Sequence, residues 1–279
     1  RRVLFRSDPV LAAKFPDIKT YSGQGITDPT AVLKITVSNY GFSAMVLSHK
    51  GNVFIDPLDH GNVSECIVYY RSDLKAYSSF NCETGEKEER FTGKINYPSM
   101  GAGQLARSHG TTLRTYRLAL ACTGEYATFH GGTTAGAMAA MVTTMNRVNG
   151  VYETEVAVHM TMVANNNLLI YLNGTTDPYT NNSGGTMLTE NINNCNTVIG
   201  SANYDIGHVF STGGGGVAYL SVPCTGNKAG GVTGSSSPVN DAFDIDYVAH
   251  EMGHQFGAQH TFNSATGSCS GNRTSTAAF

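Results

Sequence analysis

The run HEMGHQFGAQH, residues 250–260, constrains this chain more than any other stretch. His250 and His254 stand four apart, so on a helix of 3.6 residues per turn their imidazoles leave the same face. Two imidazoles placed that way can grip one metal ion. Glu251 follows the first histidine directly and is the only acidic residue of the run, set to reach a metal-bound water rather than the metal. His260 comes six residues after His254, beyond Gly257. A helix that simply continued would carry His260 away at about 1.5 Å per residue. The chain must turn sharply first, and Gly257 suits the turn because glycine tolerates positive φ. Three nitrogen ligands, an open fourth position and a neighbouring base make the ligand set of a hydrolytic zinc site. Zinc lowers the pKa of bound water from about 15.7 toward about 7. A carboxylate then takes the proton and returns it to the leaving amine, and Glu251 is assigned that role. HExxH alone arises by chance on ordinary core helices. The longer pattern, with Gly257 and His260 added, is far more specific.

The helix that carries the site is legible upstream. Pro238 and Asn240-Asp241 supply stop and cap signals, with Asp244 three residues on. Phe243, Tyr247 and Val248 follow at roughly helical spacing, predicting a helix near 241–256 that ends at Gly257.

The 279 residues allow one large domain or two modest ones. The chain begins at Arg1 rather than methionine, so a fragment or processed form is expected. No apolar run reaches the length of a membrane span. Charged residues are 14%, against about 25% in typical domains. Lys and Arg are scattered without a basic stripe, which argues against a nucleic-acid surface. The 32 glycines, with many Asn, Thr and Ser, read as a loop-rich soluble protein. Six cysteines contain no CxxC pair, so they do not form a second zinc site of the ribbon type. An even count favours disulfides in an extracellular chain. Cys224 with Cys269, flanking the zinc helix, is the first expected pair, and Cys122 with Cys195 the second.

Three regions follow from the patterning: a β-rich region 1–84, a linker 85–110, and a mixed α/β region 111–279. AVLKITV, FSAMVL, NVFIDP and ECIVYYR read as strands of a meander between SNYG and SHKG turns. The linker is polar and aperiodic, and Arg107 within it is an expected cleavage point. Beyond it, LRTYRLALAC, VAVHMTMVA, NLLIYL and DIGHVF read as strands. TTAGAMAAMVTTMNRVNGVYETE and GTMLTENINNCNTVIG read as helices, and GGGGVAYLSV as an edge strand. The methionines of the first helix read as core packing. His159 and His208 read as core histidines, while His49, His60, His109 and His130 fall in turns or loops.

HEMGHQFGAQH matches the long zinc signature of the metzincin metallopeptidases. Together with LRTYRLALACTGEY, TTMNRVNGVYE, ANYDIGHVFSTGGGGVA and DYVAHEMGHQFG, it resembles the bacterial reprolysin-like (adamalysin-related) secreted proteases over roughly 113–279. KFPDIKTYSGQGITDPTA and the following strands resemble their pro-region. The resemblance implies an α/β (α+β) metzincin catalytic domain with a twisted, mostly parallel mixed sheet and long helices, preceded by a β-rich prodomain. It implies a secreted zinc endopeptidase acting on protein or peptide substrates and inhibited by its own prodomain. His250, His254 and His260 would be the zinc ligands and Glu251 the base. Gly215, Gly216, Val217, Ala218 and Tyr219 would form the edge to which an extended substrate adds as a strand. Calcium is compatible with such a protein, but no residue here assigns it.

Metzincins also carry a methionine-containing turn after the third histidine. The last methionine here is Met252 and the sequence stops at Phe279, so an incomplete catalyst is the expectation. A cysteine thiolate from the first region could take the fourth zinc position, with Cys82 and Cys66 the two candidates. The alternative is that both are disulfide-bonded or simply buried. Two other functions stay open: a non-catalytic zinc-stabilised binding or adhesion module, and a zinc hydrolase of small substrates. Glu251 argues against the first, because a purely structural site needs no base.

Overall fold

Two five-stranded sheets organise the chain. The computed structural model describes residues 7–59, 63–74, 82–84 and 112–260. The expected linker 85–110 with Arg107, as well as His60, His109 and Cys269, lies outside the described residues.

Helix α1 (Pro9–Lys14) opens with proline in its first turn, and Asp8 caps it by accepting from the Val10 amide at 2.9 Å. Strands β1 (Lys19–Gln24), β2 (Val32–Ser38), β3 (Gly41–Leu47), β4 (Val53–Pro57) and β5 (Cys66–Tyr70) then form an antiparallel meander in that order. The meander therefore starts one strand earlier than the patterning predicts.

The second unit runs β6 (Arg114–Cys122), α2 (Gly124–Phe129), α3 (Thr134–Glu155), β7 (Val158–Met162), α4 (Gly184–Val198), β8 (Ile206–Ser211), β9 (Gly215–Ala218) and β10 (Gly231–Gly234). A π-helical stretch, Ala242–Ala249, then leads into α5 (His250–Gln255). The strand order is β7-β6-β8-β10-β9. The neighbours are parallel except for β9, which pairs antiparallel with β10 at the edge. This is the mixed, mostly parallel sheet that was expected, with its glycine-rich strand at the rim.

One predicted strand is absent. In NLLIYL, Asn166–Leu169 form a turn of 3-10 helix, and Ile170 makes only a single bridge to Cys122. The Asn166 side chain explains it. Its Oδ1 accepts from the Leu120 amide and its Nδ2 donates to the Leu120 carbonyl, both at 2.8 Å. One amide side chain thus satisfies the groups that a neighbouring strand would have paired.

Successive residues of a strand face opposite ways, so the sheet has two cores. Phe210 of β8 packs with Met138, Met141 and Met145 of α3 and with Phe243 and Met252. Val209 packs on the other face with Met187, Leu188 and Cys195 of α4 and with Val217 and Val232. Cys122 belongs to the first core and Cys195 to the second. The expected Cys122–Cys195 bridge is therefore wrong, because the sheet stands between them. All five described cysteines are free thiols.

The meander is joined to the second unit by buried charge. Arg147 on α3 lies 2.5 Å from Asp56 of β4 and 3.0 Å from Asp244, with all three side chains almost fully buried. Lys34 of β2 meets Glu153 of α3 at 2.6 Å.

Candidate metal centre

The helix expected at 241–256 is present in extent but not in winding. Its first eight residues after Asp241 are π-helical. Asp241 supplies no side-chain cap, and its carboxylate lies 2.7 Å from Arg71 Nε instead. Asp244 is held to α3, accepting from Thr144 Oγ1 at 2.6 Å and Arg147 Nη1 at 3.0 Å. Tyr152 on α3 donates to the Ala249 carbonyl at 2.8 Å. These ties fix the rotation of the segment that delivers His250 and Glu251.

Helix α5 stops as expected. Gly257 has φ 99°, its amide donates to the His254 carbonyl at 2.8 Å, and the Ala258 amide donates to Gly253 at 2.9 Å. That φ lies in the left-handed region that favours glycine. The reversal brings His260 back against the other two histidines. Their Nε2 atoms form a triangle: 3.0 Å from His254 to His250, 3.2 Å from His254 to His260, and 3.3 Å from His260 to His250. His254 Nδ1 lies 2.7 Å from the Ala258 carbonyl, which fixes that nitrogen as the donor and leaves Nε2 its lone pair. Burial pushes His250 down to about 4, with the neighbouring histidines adding to the effect, and lowers His254 as well. Both are neutral imidazoles at neutral pH, the form that binds metal.

Glu251 is fully buried, and burial pushes its carboxyl up to about 8. Its Oε1 has no hydrogen-bond partner among the described residues. A buried oxygen left so is costly.

Strand β9 runs over this carboxylate. A Cβ at Gly216 would meet the Glu251 side chain at 2.5 Å, so only glycine lets the strand pass this close. Val217 points the other way, into the core beneath α4. Tyr219 lies just beyond the strand, and its amide extends the pairing to the Gly230 carbonyl at 2.9 Å.

The outer edge of β9 carries residues 82–84. Cys82 makes a parallel bridge with Gly216, and the Glu83 amide donates to the Gly216 carbonyl at 2.9 Å. Thr84 Oγ1 accepts from the Ala218 amide at 3.0 Å and lies 3.4 Å from Glu251 Oε2. Cys82 Sγ sits 3.5 Å from His254 Nε2, and the four donor atoms of Cys82, His250, His254 and His260 fall within 4.8 Å of one another. Burial pushes the Cys82 thiol up to about 12, and the Glu251 carboxylate adds to that. Cys66, the other candidate, lies exposed on β5 with its sulfur near the Phe42 carbonyl, away from the histidines.

The donor set fits zinc. Tetrahedral bonds of about 2.1 Å to nitrogen and 2.3 Å to sulfur place two nitrogens about 3.4 Å apart, and nitrogen and sulfur about 3.6 Å apart. The three nitrogen spacings and the Cys82–His254 spacing are close to these values.

One supporting group was not foreseen as such. His208 is fully buried on β8, with Nδ1 2.8 Å from Gln255 Oε1 and Nε2 2.8 Å from Thr233 Oγ1. Gln255 also donates to the Gly207 carbonyl at 2.8 Å. This network pins the residue after His254 to the sheet. The core placement of His208 follows from the sequence, but its link to the metal helix has no local signal.

Residues 138–261 match the family model described as metallo-peptidase family M12B, reprolysin-like. No curated protein matches the chain. The matched stretch contains the three histidines, Glu251 and β9, and the match supports a zinc-dependent metalloprotease domain there.

Proposed function

We propose, starting from that reprolysin-like match, that the chain is a secreted zinc endopeptidase made in a latent form. The observation that carries the reading is the triangle of three Nε2 atoms, 3.0–3.3 Å on a side, beside a buried carboxylate with an unpaired oxygen. His250, His254 and His260 would hold the metal. Bound zinc supplies Lewis acidity toward a carbonyl oxygen and toward water. Glu251, buried beside the three histidines, is placed to take and return a proton. Gly215, Gly216, Val217 and Ala218, with Tyr219, would align an extended peptide through their backbone groups.

The latent state is supported by residues 82–84, which lie on the outer edge of β9 where such a peptide would add. Cys82 would supply a thiolate as fourth ligand, and a metal deprotonates a coordinating thiol outright. Residues 1–84 would then act as the inhibitory region, with cleavage near Arg107 separating it from the peptidase. Secretion is proposed from the resemblance of the sequence alone.

One observation favours a second reading. Three histidines and a cysteine make a closed, four-donor shell, the form of a structural site. A zinc-stabilised binding module would keep that shell permanently. Zinc content and cleavage of an unstructured protein, measured on the processed chain and on Glu251→Ala, separate the two. The expected result is unchanged zinc and a loss of activity of at least about 100-fold. Activity that survives Glu251→Ala overturns the mechanism, and zinc retained without cleavage by either form favours the module.

A further inference from the structure

Helix α1 and the meander do more than carry residues 82–84 to the site; they complete the core of the second unit. Leu11 of α1 and Ile18 after it are buried in the same apolar core as Met138, Met141, Phe210 and Met252. Phe15 and Tyr40 pack against that core. The residues before α1 also cover the edge of the sheet at β7. Ser7 makes a parallel bridge with Met162, and the Asp8 amide donates to the Met162 carbonyl at 2.9 Å. The meander meets a polar stretch of α3 that is itself buried. Asn146 is 3% exposed, and its Nδ2 donates to the Ile35 carbonyl at 2.9 Å and to Thr36 Oγ1 at 3.1 Å. Arg147 spans from Asp56 of β4 to Asp244, on the segment that leads into His250. Arg71, just after β5, reaches the same segment at Asp241 and Asp246, both at 2.7 Å. The segment that delivers His250 and Glu251 is thus held partly by side chains from the N-terminal region. A second unit parted from them would open its core to water at the seats of Leu11 and Ile18. It would also strip Asn146 and Arg147 of these partners.

We propose that α1 and the meander are a permanent part of the working peptidase: after a cut within 85–110 they stay bound as a separate chain and support the metal helix, while only 82–84 leave the site. The inference rests on the peptidase reading for the cut and for the chemistry. Inhibition and support then belong to different residues of the N-terminal region. A cut beyond residue 84 makes 82–84 part of a chain end, able to peel from β9 without disturbing α1 or the meander. Loss of the whole region would cost activity instead of releasing it.

The test breaks the covalent link and asks whether the pieces part. The native full-length chain is cut with trypsin and the cut is mapped by mass spectrometry. The same break is made genetically, by expressing 1–84 and 85–279 together with an affinity tag on the second piece alone. Both pieces should elute together from a sizing column, be captured in equal amounts by the tag, and part only in denaturant. An N-terminal piece that elutes alone, with the remainder still folded by circular dichroism, would overturn the proposal. Variants separate the anchor from the 82–84 contact. The rate at which the N-terminal piece is lost from the immobilised pair should rise at least about tenfold in Leu11→Ala and about fivefold in Asn146→Ala. Thr84→Val, which loosens the 82–84 contact alone, should lose the piece at the wild-type rate. Equal speeding in Thr84→Val would overturn the division of tasks. Peptide cleavage by the cut pair sorts the two ways of failing. A pair that stays together but cleaves nothing sinks the peptidase reading and leaves the retained contact standing. Cleavage by residues 85–279 after the N-terminal piece has gone sinks this proposal and leaves the peptidase.

Discussion

Two of the contacts between the N-terminal region and the rest of the molecule are built on different principles. Along α3 and the π-helical stretch the ties are buried charges, with Arg147 between Asp56 and Asp244 and Lys34 on Glu153. At β9 the tie is three residues, held by backbone pairing, one hydroxyl and one thiol. The first opens only by breaking buried ion pairs. The second can lift off and leave only an ordinary edge strand behind. Anchoring the region and closing the site are thus separate tasks, and the second can be undone while the first holds.

The largest effect is expected where the anchoring charge is removed. Arg147→Met leaves Asp56 and Asp244 buried without their cation and should cost about 3–5 kcal/mol in chemical denaturation. A cost under about 1 kcal/mol would mean that the buried pairs do not anchor the meander.

Next in size is an acid effect inside the second unit. Burial pushes His208 down to about 4, against an unfolded value near 6.5. The unfolded chain then binds more protons across that window. Stability is full above about pH 6.5 and falls as pH drops toward 4, on the order of 3 kcal/mol from this group. In the metal-free protein His208→Gln should flatten the fall by that amount, measured as stability against pH. An unchanged slope would show that His208 is not held neutral.

Smaller again is the hydroxyl at the site contact. Thr84→Val removes the acceptor for the Ala218 amide and should speed Cys82 alkylation about fivefold while leaving the denaturation midpoint in place. The smallest effect belongs to Asp246, which is 42% exposed where it meets Arg71 at 2.7 Å. Asp246→Asn should shift stability by less than about 1 kcal/mol, readable as a small midpoint change.

Much of the site is legible in the sequence because its signals are local. Four-residue spacing aligns His250 and His254, and Gly257 turns the chain so that His260 can return. The run of glycines before Val217 marks the strand that must pass over Glu251. What escapes is what depends on distant partners or small changes of winding. Eight residues of π-helix have no periodicity distinct enough from an α-helix to be read. Asn166 defeats a strand because its side chain finds Leu120, far back in the chain. Cys82 and Cys66 are equivalent in sequence, and only the pairing of Cys82 with Gly216 separates them. The Cys122–Cys195 expectation failed because spacing cannot tell which face of a sheet a cysteine occupies.

Zinc-edge X-ray absorption on the full-length, zinc-loaded chain tests Cys82 as the fourth ligand most directly. One sulfur at about 2.3 Å with nitrogens at about 2.0–2.1 Å is expected, and that sulfur is lost in Cys82→Ser with zinc retained. A shell of only nitrogen and oxygen in the wild-type chain, or zinc lost when Cys82 alone is changed, would contradict it.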